Sequence, residues 1–562
     1  MAQADAGGAG TSRVLAIGLD GATWTTLEPR LRRGDLPHLR ALVDAGAHGV
    51  LRSILPPLSG PAWATILTGM HPGRHGIFDF TWKPRGATAG RLVDGRDIDG
   101  PTLPDLLSWH GVPSILVNVM MTYPPRPLLG CTITGGLTPP GADCFTSPPE
   151  LARDLEAALG EPYPLSTRGG LALGSDRPGL LLDLLLGRHA ARCRAFEHLL
   201  DTRPWRFAMI LMEESDIGQH AYWHYEDPAH PRHTGSALPD GRRPLDEIYR
   251  ALDRAIGRLL SRLDPARDHV LVVSDHGFRG QHAKLMVNNL LRHWGMLRFR
   301  STPGALARRA AAASPVSPAR LYRLLRRFGA DRLKRAMTES DAGRRRLGRW
   351  LLSLDDVDWT RTTAYSEGVG GGVYLNLAGR EPHGTVRPGP EADRLLDQIA
   401  SRLAELTDPT TGVPLAPVIR RGRDLYPGPH QERAPDLVFW PARAATPLEQ
   451  SAFVTNRVFE RAADSGGHDP AGVYVLGGPG VRAGAGPQLD LVDFAAIALH
   501  LLREPGHDGL DGHVPPALFD AGAGTALDRV PMPPPFSTAA REVSAAEKAQ
   551  VQERLRDLGY FG

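Results

Sequence analysis

The strongest constraint on the fold is a series of short, continuous apolar runs that recur along the chain. We predict that these runs are strands, and they cover Val14–Leu19, Ser114–Val119, Phe207–Met212, Val270–Val273 and Val473–Leu476. Between them, Leu180–Leu200 and Leu245–Leu263 have the apolar periodicity of amphipathic helices. A continuous apolar strand is buried on both faces, and its alternation with helices is typical of a parallel sheet. The sequence therefore predicts an α/β fold, a three-layer α/β/α sandwich around one large, mostly parallel sheet.

The composition is that of an ordinary soluble globular protein, with 42% hydrophobic and 23% charged residues among 562. A formal net charge of +3 is small for this length and gives no reason to expect nucleic-acid binding. No stretch approaches the roughly 20 apolar residues of a membrane span, and residues 1–13 lack a signal-peptide core. The 3 cysteines have no metal-motif spacing, which favours free thiols over a disulfide. We therefore expect a cytoplasmic protein, and the oligomeric state stays unknown.

The chain divides into three expected segments. Residues 1–13 are mostly small and would form a flexible arm, residues 14–540 would form one large catalytic domain, and residues 541–562 would form a docking helix. The final helix is indicated by Ser544 and Glu547, whose spacing matches a capping box. Its predicted buried stripe consists of Val551, Leu555 and Leu558.

Two regions of the large domain depart from the alternating pattern. Residues 120–178 are rich in Pro and Gly, and we predict that they form cap loops above the edge of the sheet. Residues 301–353 are rich in Arg and Ala with helical periodicity, which predicts a helical insertion. Its basic face could attract an anionic substrate, or it could be an ordinary solvated surface, which is the commoner role of charge runs.

Side chains of the kinds that bind metals follow the predicted strands or lie in Gly-rich turns beside them. They are Asp20, Asp216, His220, Asp275, His276 and His468. Because parallel strands present their carboxyl ends at one edge of a sheet, we expect these side chains to meet there. Three Asp and three His would suit two divalent cations, most simply Zn²⁺, with Mn²⁺ also compatible. Each residue alone has a structural explanation, such as a helix N-cap for an Asp, but the whole set favours metal binding.

A serine lies in a turn rich in Pro and Gly, just before a predicted helix. This residue, Ser59, is followed by Gly60 and Pro61. Backbone N–H groups at a helix start favour an anion, but a hydroxyl is a poor nucleophile unless a base or metal lowers its pKa. The metal-type residues would supply that activation. On the local residues alone, a helix N-cap is the simpler role for Ser59. Nearby His75 is interpreted as structural.

In chain order, these motifs resemble the alkaline phosphatase superfamily, in its type I phosphodiesterase/nucleotide pyrophosphatase branch. The matching segments are Asp20-Gly21, Ser59–Trp63, Thr68–Ile77, Asp216–His220, Ser274–Gly277 and Gly467-His468. The resemblance implies an alkaline-phosphatase-like fold and a hydrolase of small phosphorylated organic substrates. It also implies a covalent phospho-Ser59 intermediate and a site for two metal ions.

The same resemblance implies how the metal ligands divide. One metal would be held by Asp20, Asp275 and His276 and would also contact Ser59. The other metal would be held by Asp216, His220 and His468. Hydrolysis at such a pair would proceed with retention at phosphorus, because displacement occurs twice.

Two departures from the family pattern bear on specificity. Nucleotide pyrophosphatases usually have Thr as the nucleophile and Asn at the position of Ala62, whose amide helps to hold a phosphate oxygen. Here the Gly60 N–H, Asn118 or Lys284 would have to replace that donor. In sulfatases the corresponding segment ends in Arg, whereas this chain has Trp63, which argues against sulfatase activity.

Other functions remain as alternatives. They are a phosphomonoesterase, a phosphomutase or a sulfatase-like hydrolase of the same superfamily, and a catalytically idle, metal-stabilised binding protein. Membrane-bound phosphoethanolamine transferases are excluded because the chain has no predicted membrane span.

Overall fold

The computed structural model describes residues 12–83, 90–165, 177–313 and 352–557, with short gaps at 410, 416, 443–444, 449–451, 454–455, 463, 523, 535 and 537–541. Its centre is a 10-stranded sheet. The strands run across it in the order Gly484–Ala485, Ala47–Arg52, Ala471–Gly477, His269–Val273, Val14–Leu19, Phe207–Met212, Ser114–Val119, Gly130–Thr134 and Thr146–Ser147, and Leu489–Asp490 also pairs with the second of them.

The sheet is mostly parallel. From His269–Val273 to Gly130–Thr134, each strand pairs in parallel with the next. The exceptions are Ala471–Gly477, which is antiparallel to both of its neighbours, and the edge strand Thr146–Ser147. The carboxyl ends of the central parallel strands therefore lie at one edge of the sheet, as predicted.

Helices cover both faces of the sheet. Along the central strand, Val14 and Ala16 belong to one core, whereas Leu15 and Ile17 belong to the other, because successive side chains alternate between faces. The first core includes residues of the helices Ser59–Thr68, Leu103–Trp109, Asp493–Leu502 and Ala545–Asp557. The second includes residues of Trp24–Arg33, Pro37–Ala45, Leu151–Leu159, Pro178–Thr202, Glu214–Glu226 and Pro244–Leu260. The predicted three-layer α/β/α architecture is confirmed.

A smaller unit has a separate core that the sequence did not reveal. It contains a four-stranded antiparallel sheet in the order Ala364–Ser366, Val373–Leu375, Leu437–Trp440 and Val418–Arg421. The helices Val287–His293 and Pro390–Ala404 pack against this sheet. Strands of three or four residues carry too little periodicity to be recognised from sequence alone.

The remaining elements are short. The helices are Pro72–His75, Pro303–Ala313 and Gly422–Leu425, and the 3₁₀ turns are Gly95–Asp97, Leu354–Asp356, Gln431–Arg433 and Pro516–Leu518. The small sheets pair Thr81–Trp82 with Arg91–Leu92, Gly277–Gly280 with Gly466–Asp469, Ala283–Met286 with Ala445–Leu448 and Phe459–Arg461, Leu352–Ser353 with Ala452–Phe453, and Gly506–His507 with Arg529–Val530.

The structure describes most of the expected cap region but only the two ends of the predicted helical insertion. The expected cap region at 120–178 also contributes strands Gly130–Thr134 and Thr146–Ser147 and helix Leu151–Leu159. Sequence reasoning missed these strands because their threonines interrupt the apolar pattern. Of the predicted helical insertion at 301–353, residues 314–351 lie outside the described residues.

Within the described parts of the chain, no helix is both long enough and apolar enough to cross a membrane.

Candidate metal and active site

The structure brings all seven candidate site residues together at the carboxyl edge of the central sheet. Asp20 directly follows the strand Val14–Leu19, and Asp275 and His276 follow His269–Val273. Asp216 and His220 lie one turn apart on the helix that begins after Phe207–Met212. His468 lies on the strand Gly466–Asp469, opposite Phe278 of the antiparallel strand Gly277–Gly280. All of these side chains are buried, as is Ser59.

The first set of possible ligands consists of Asp20, Asp275 and His276, whose donor atoms all lie within 4.8 Å of one another. His276 Nε2 is 3.6 Å from Asp20 Oδ1 and 3.3 Å from Asp275 Oδ2. The other Asp275 oxygen accepts the Gly21 N–H at 3.2 Å, which fixes the carboxylate. This set combines two carboxylates with one imidazole.

The second set consists of Asp216, His220 and His468 and has the same compactness, within 4.8 Å. Asp216 Oδ1 is 3.5 Å from His220 Nε2 and 3.3 Å from His468 Nε2. The two sets adjoin, because the rings of His276 and His468 stack with centroids 3.7 Å apart.

Backbone carbonyls orient all three histidines in the same way. The Nδ1 atom of His220 is 2.9 Å from Gly466 O, that of His468 is 2.7 Å from Pro57 O, and that of His276 is 3.1 Å from Gly277 O. A carbonyl can only accept, so in each neutral ring Nδ1 carries the proton and Nε2 presents a lone pair. The three lone pairs point into the cluster, which is the arrangement of metal-binding histidines.

Ser59 is the first residue of the helix Ser59–Thr68, and the N-cap position belongs to Leu58. The N-cap interpretation of Ser59 is therefore wrong. Its hydroxyl instead lies 3.0 Å from His276 Nε2, beside the first set. The next hydroxyl on the helix, that of Thr65, donates to Pro61 O and lies beside His75.

The two carboxylates of the first set are electrostatically unfavourable where they lie. Burial, followed by the charges of Asp275 and Asp216, raises the pKa of Asp20 well above its usual range. Burial and Asp216 likewise raise the pKa of Asp275 to about 7. Burial and the neighbouring His468 lower the pKa of His276, so this ring stays neutral and cannot balance the carboxylates. A cation beside these carboxylates would offset their repulsion. In the second set burial is outweighed, since His220 and His468 lower the pKa of Asp216, and Asp216 and Asp464 raise that of His220.

Three observations show that the residues fit divalent metals. Among the described residues, one buried oxygen each of Asp20, Asp216 and Asp275 has no hydrogen-bond partner, and each of these oxygens faces a histidine nitrogen. Moreover, His220 Nε2 and His468 Nε2 lie only 3.0 Å apart, so both nitrogens could bind one ion. Cations held among these atoms would satisfy all three oxygens. Mixed nitrogen and oxygen donors suit Zn²⁺, and the carboxylate-rich first set also suits Mn²⁺.

One buried residue near the site was missed from the sequence. Asp464 Oδ2 lies 3.6 Å from His220 Nδ1, and its Oδ1 lies 3.5 Å from the Lys284 ammonium. Lys284 and His220 hold the pKa of Asp464 well below its usual value, although burial opposes them. The only available signal was an Asp placed four residues before His468.

Two other residues considered at the sequence level have structural partners. Asn118 donates to Leu211 O at 2.9 Å within the central sheet. His75 lies 3.0 Å from Thr65 Oγ1 and accepts the Ile77 N–H at 3.2 Å. Lys284, the third candidate donor, is paired with Asp464.

The sequence profile of the family Type I phosphodiesterase / nucleotide pyrophosphatase matches residues 14–452. This match includes six of the seven candidate site residues, and His468 lies beyond it. In the comparison with curated proteins, none matches this chain.

Several solved structures are similar to this chain at low sequence identity. Phosphonoacetate hydrolase from Sinorhizobium meliloti 1021, in complex with phosphonoformate, is 15% identical with a TM-score of 0.50, over 88% of this chain and 96% of that chain. Murine ectonucleotide pyrophosphatase/phosphodiesterase 5, in complex with AMP, is 12% identical with a TM-score of 0.46, over 88% and 95% of the two chains. At 15% identity, the first likeness extends to the fold alone.

Proposed function

Because the chain belongs to the type I phosphodiesterase/nucleotide pyrophosphatase family, whose members are phosphoric ester hydrolases, we propose that it hydrolyses a phosphodiester through a covalent phospho-Ser59. The observation that supports this most directly is the position of Ser59. Its hydroxyl adjoins one of two compact donor sets in a buried cluster rich in carboxylates. The catalytic domain would comprise residues 14–540 of a cytoplasmic enzyme.

The two donor sets would each hold one divalent metal ion, most simply Zn²⁺. Asp20, Asp275 and His276 would form one site together with Ser59, and the second set defined above would form the other. Such a pair of ions lowers the pKa of a bound hydroxyl and neutralises charge on the transferring phosphoryl group. Asp464 would support the second site by balancing Lys284 beside His220.

Ser59 would act as the nucleophile. Its hydroxyl loses a proton to solvent and attacks phosphorus, so that a P–Oγ bond forms as the P–O bond to the leaving group breaks, and the departing alkoxide takes a proton from solvent. Water then attacks phosphorus from the opposite side, and Ser59 Oγ leaves and regains a proton. Two displacements give net retention at phosphorus. The two reactions together consume one water and release one alcohol and one phosphate ester.

Backbone groups at the start of the helix would help to bind the phosphoryl oxygens. The Gly60 N–H lies at the helix start, where backbone donors point outward. A Cβ on Gly60 would lie 3.0 Å from the Phe80 ring, so a larger residue would crowd this position. Because Ala62 has no side-chain donor and Asn118 is engaged elsewhere, Gly60 is the donor that we favour.

The decisive experiment follows the covalent intermediate. Purified protein with added zinc is mixed with bis-p-nitrophenyl phosphate and quenched at short times, and the peptides are mapped for phosphorylation. We expect phosphate on Ser59. The Ser59→Ala variant should lose most turnover, by about 10³-fold or more, because the nucleophile is gone. Ser59→Thr should keep part of it.

Thr65→Val is the matched control, because it removes a hydroxyl from the same helix without touching the cluster. It should retain turnover and the covalent adduct. Parallel assays with p-nitrophenyl phosphate and an aryl sulfate measure the substrate specificity. We expect faster turnover of the diester than of the monoester and negligible turnover of the sulfate. An active Ser59→Ala enzyme without an adduct would refute the nucleophile. Dominant sulfatase activity would refute the phosphodiesterase assignment, and absence of turnover on every ester would favour a binding protein.

A further inference from the structure

The residue one helical turn after Ser59 also faces the site. Residues four apart share a face of an α-helix, so Trp63 and Ser59 point in the same direction. Trp63 is completely buried, and its indole N–H donates to Asp20 Oδ2 at 3.2 Å. The helix that presents the nucleophile therefore also contacts one of the possible metal ligands.

Because of this hydrogen bond, the two carboxylate oxygens of Asp20 have different surroundings. Oδ2 accepts the indole N–H, whereas Oδ1 has no hydrogen-bond partner among the described residues and lies 3.6 Å from His276 Nε2. A carboxylate held through one oxygen cannot rotate freely, so its other oxygen keeps one direction. Outer hydrogen bonds of this kind orient metal ligands and strengthen metal binding.

The strand beneath the site leaves room for the indole. Gly18 lies two residues before Asp20, and a Cβ on it would lie 2.7 Å from Trp63 Cη2. A contact that short would crowd the ring, and the same Cβ would lie 2.9 Å from Leu211 Cδ1. Gly18 therefore lets the indole lie against the strand that ends at Asp20, where its N–H reaches the carboxylate.

We propose that Trp63 is a positioning residue that fixes the Asp20 carboxylate for the metal shared with Asp275 and His276. This rests on the proposed function, because it assumes that the first donor set binds a metal. The role is separate from chemistry at phosphorus, since the indole touches a ligand and no reacting atom. This role would also explain why Trp63 occupies the position at which sulfatases have Arg.

The test measures metal affinity directly. Metal-free Trp63→Phe protein is titrated with zinc in competition with a chromophoric chelator, alongside wild type. Phe keeps most of the buried ring but has no donor, so one of two zinc equivalents should bind about 10–100-fold more weakly. The other equivalent should be unchanged. Excess zinc should restore turnover, because Ser59 and every ligand remain in place.

Trp205→Phe is the matched control, since its buried indole donates to Leu200 O at 3.2 Å, outside the site. This control should bind both equivalents as wild type does. Gly18→Ala is a second variant that keeps the indole N–H but displaces it, and it should weaken the same equivalent. It also serves as the test if Trp63→Phe does not fold.

Three outcomes separate the hypotheses. Wild type that binds no zinc would refute the proposed metal function itself. Wild type that binds two equivalents, with Trp63→Phe binding both at wild-type affinity, would overturn only the role of Trp63. Equal weakening of both equivalents, or lower thermal stability with unchanged affinity, would indicate a structural indole.

Discussion

At the scale of single residues, the histidines of the site are distinguished by their partners and not by their burial. His468 and His75 are both buried, yet His468 Nε2 faces Asp216, whereas His75 lies against Thr65. The residue type alone could not separate them. The distinction requires knowing which nitrogen faces a carboxylate and which faces a carbonyl or hydroxyl.

We therefore predict opposite results for two alanine variants. His468→Ala should lose at least about 100-fold in zinc affinity together with turnover, because it removes a direct ligand. His75→Ala should retain zinc and turnover when folded, although losing a buried hydrogen bond should lower its stability. Elemental analysis after gel filtration, with thermal denaturation, measures both. Zinc retained by His468→Ala would contradict the assignment.

A second prediction concerns the charge pair behind His220. Asp464→Asn removes the carboxylate charge that contacts both the Lys284 ammonium and His220, so zinc affinity of the second set should fall about 10-fold. Lys284→Met alone should not weaken zinc binding, because it removes a positive charge. The double variant should bind more tightly than Asp464→Asn. Chelator competition on wild type, the two single variants and the double variant measures the coupling free energy between Asp464 and Lys284 in zinc binding. Strictly additive changes in zinc affinity would argue against an electrostatic origin.

At the scale of elements, the buried strands could be predicted and the boundaries around Ser59 could not. Val14–Leu19, Ser114–Val119 and Phe207–Met212 have the predicted limits because strands buried on both faces are continuously apolar. A helix start depends on backbone angles, and Leu58 with φ −107° and ψ 132° takes the N-cap. This shift by one residue places Ser59 on the helical face that carries Trp63.

The last described helix allows a prediction of stability. Val551 and Leu555 are buried in the core that also includes the helix of Ser59, although residues 558–562 lie outside the described residues. Leu555→Ala should lower the free energy of unfolding by about 2–5 kcal/mol, because it opens a cavity. Exposed Gln550→Ala should change it by less than about 0.5 kcal/mol. Urea unfolding measures both, and equal effects would show that the helix does not dock.

At the scale of the whole molecule, the fold joins residues from opposite ends of the chain. Asp20 and His468 reach one cluster because the strand Ala471–Gly477 returns beside His269–Val273. The sequence predicted which residues meet, since strand ends and family motifs mark them. It could not predict the distances, the stacking of His276 on His468, or Asp464, because these depend on contacts between distant segments.

The same convergence makes the metal-free protein sensitive to pH. Burial and Asp216 raise the pKa of Asp275 from 3.8 to about 7 in the folded state. A carboxyl whose folded pKa is raised stabilises the fold below its unfolded pKa, and that contribution disappears as the pH rises through the folded pKa. For the metal-free protein, the contribution of Asp275 to stability should therefore decline between about pH 4 and pH 8.

Asp275→Asn isolates this effect, because the amide oxygen can still accept the Gly21 N–H but carries no charge. Without metal at about pH 8, the variant should be more stable than wild type by on the order of 1–3 kcal/mol, and near pH 4 the advantage should vanish. With saturating zinc the order should reverse, because only wild type has the complete donor set. Urea unfolding with chelator and with zinc measures both conditions. A metal-free wild type as stable as Asp275→Asn at pH 8 would show that the carboxylates do not repel as the structure indicates.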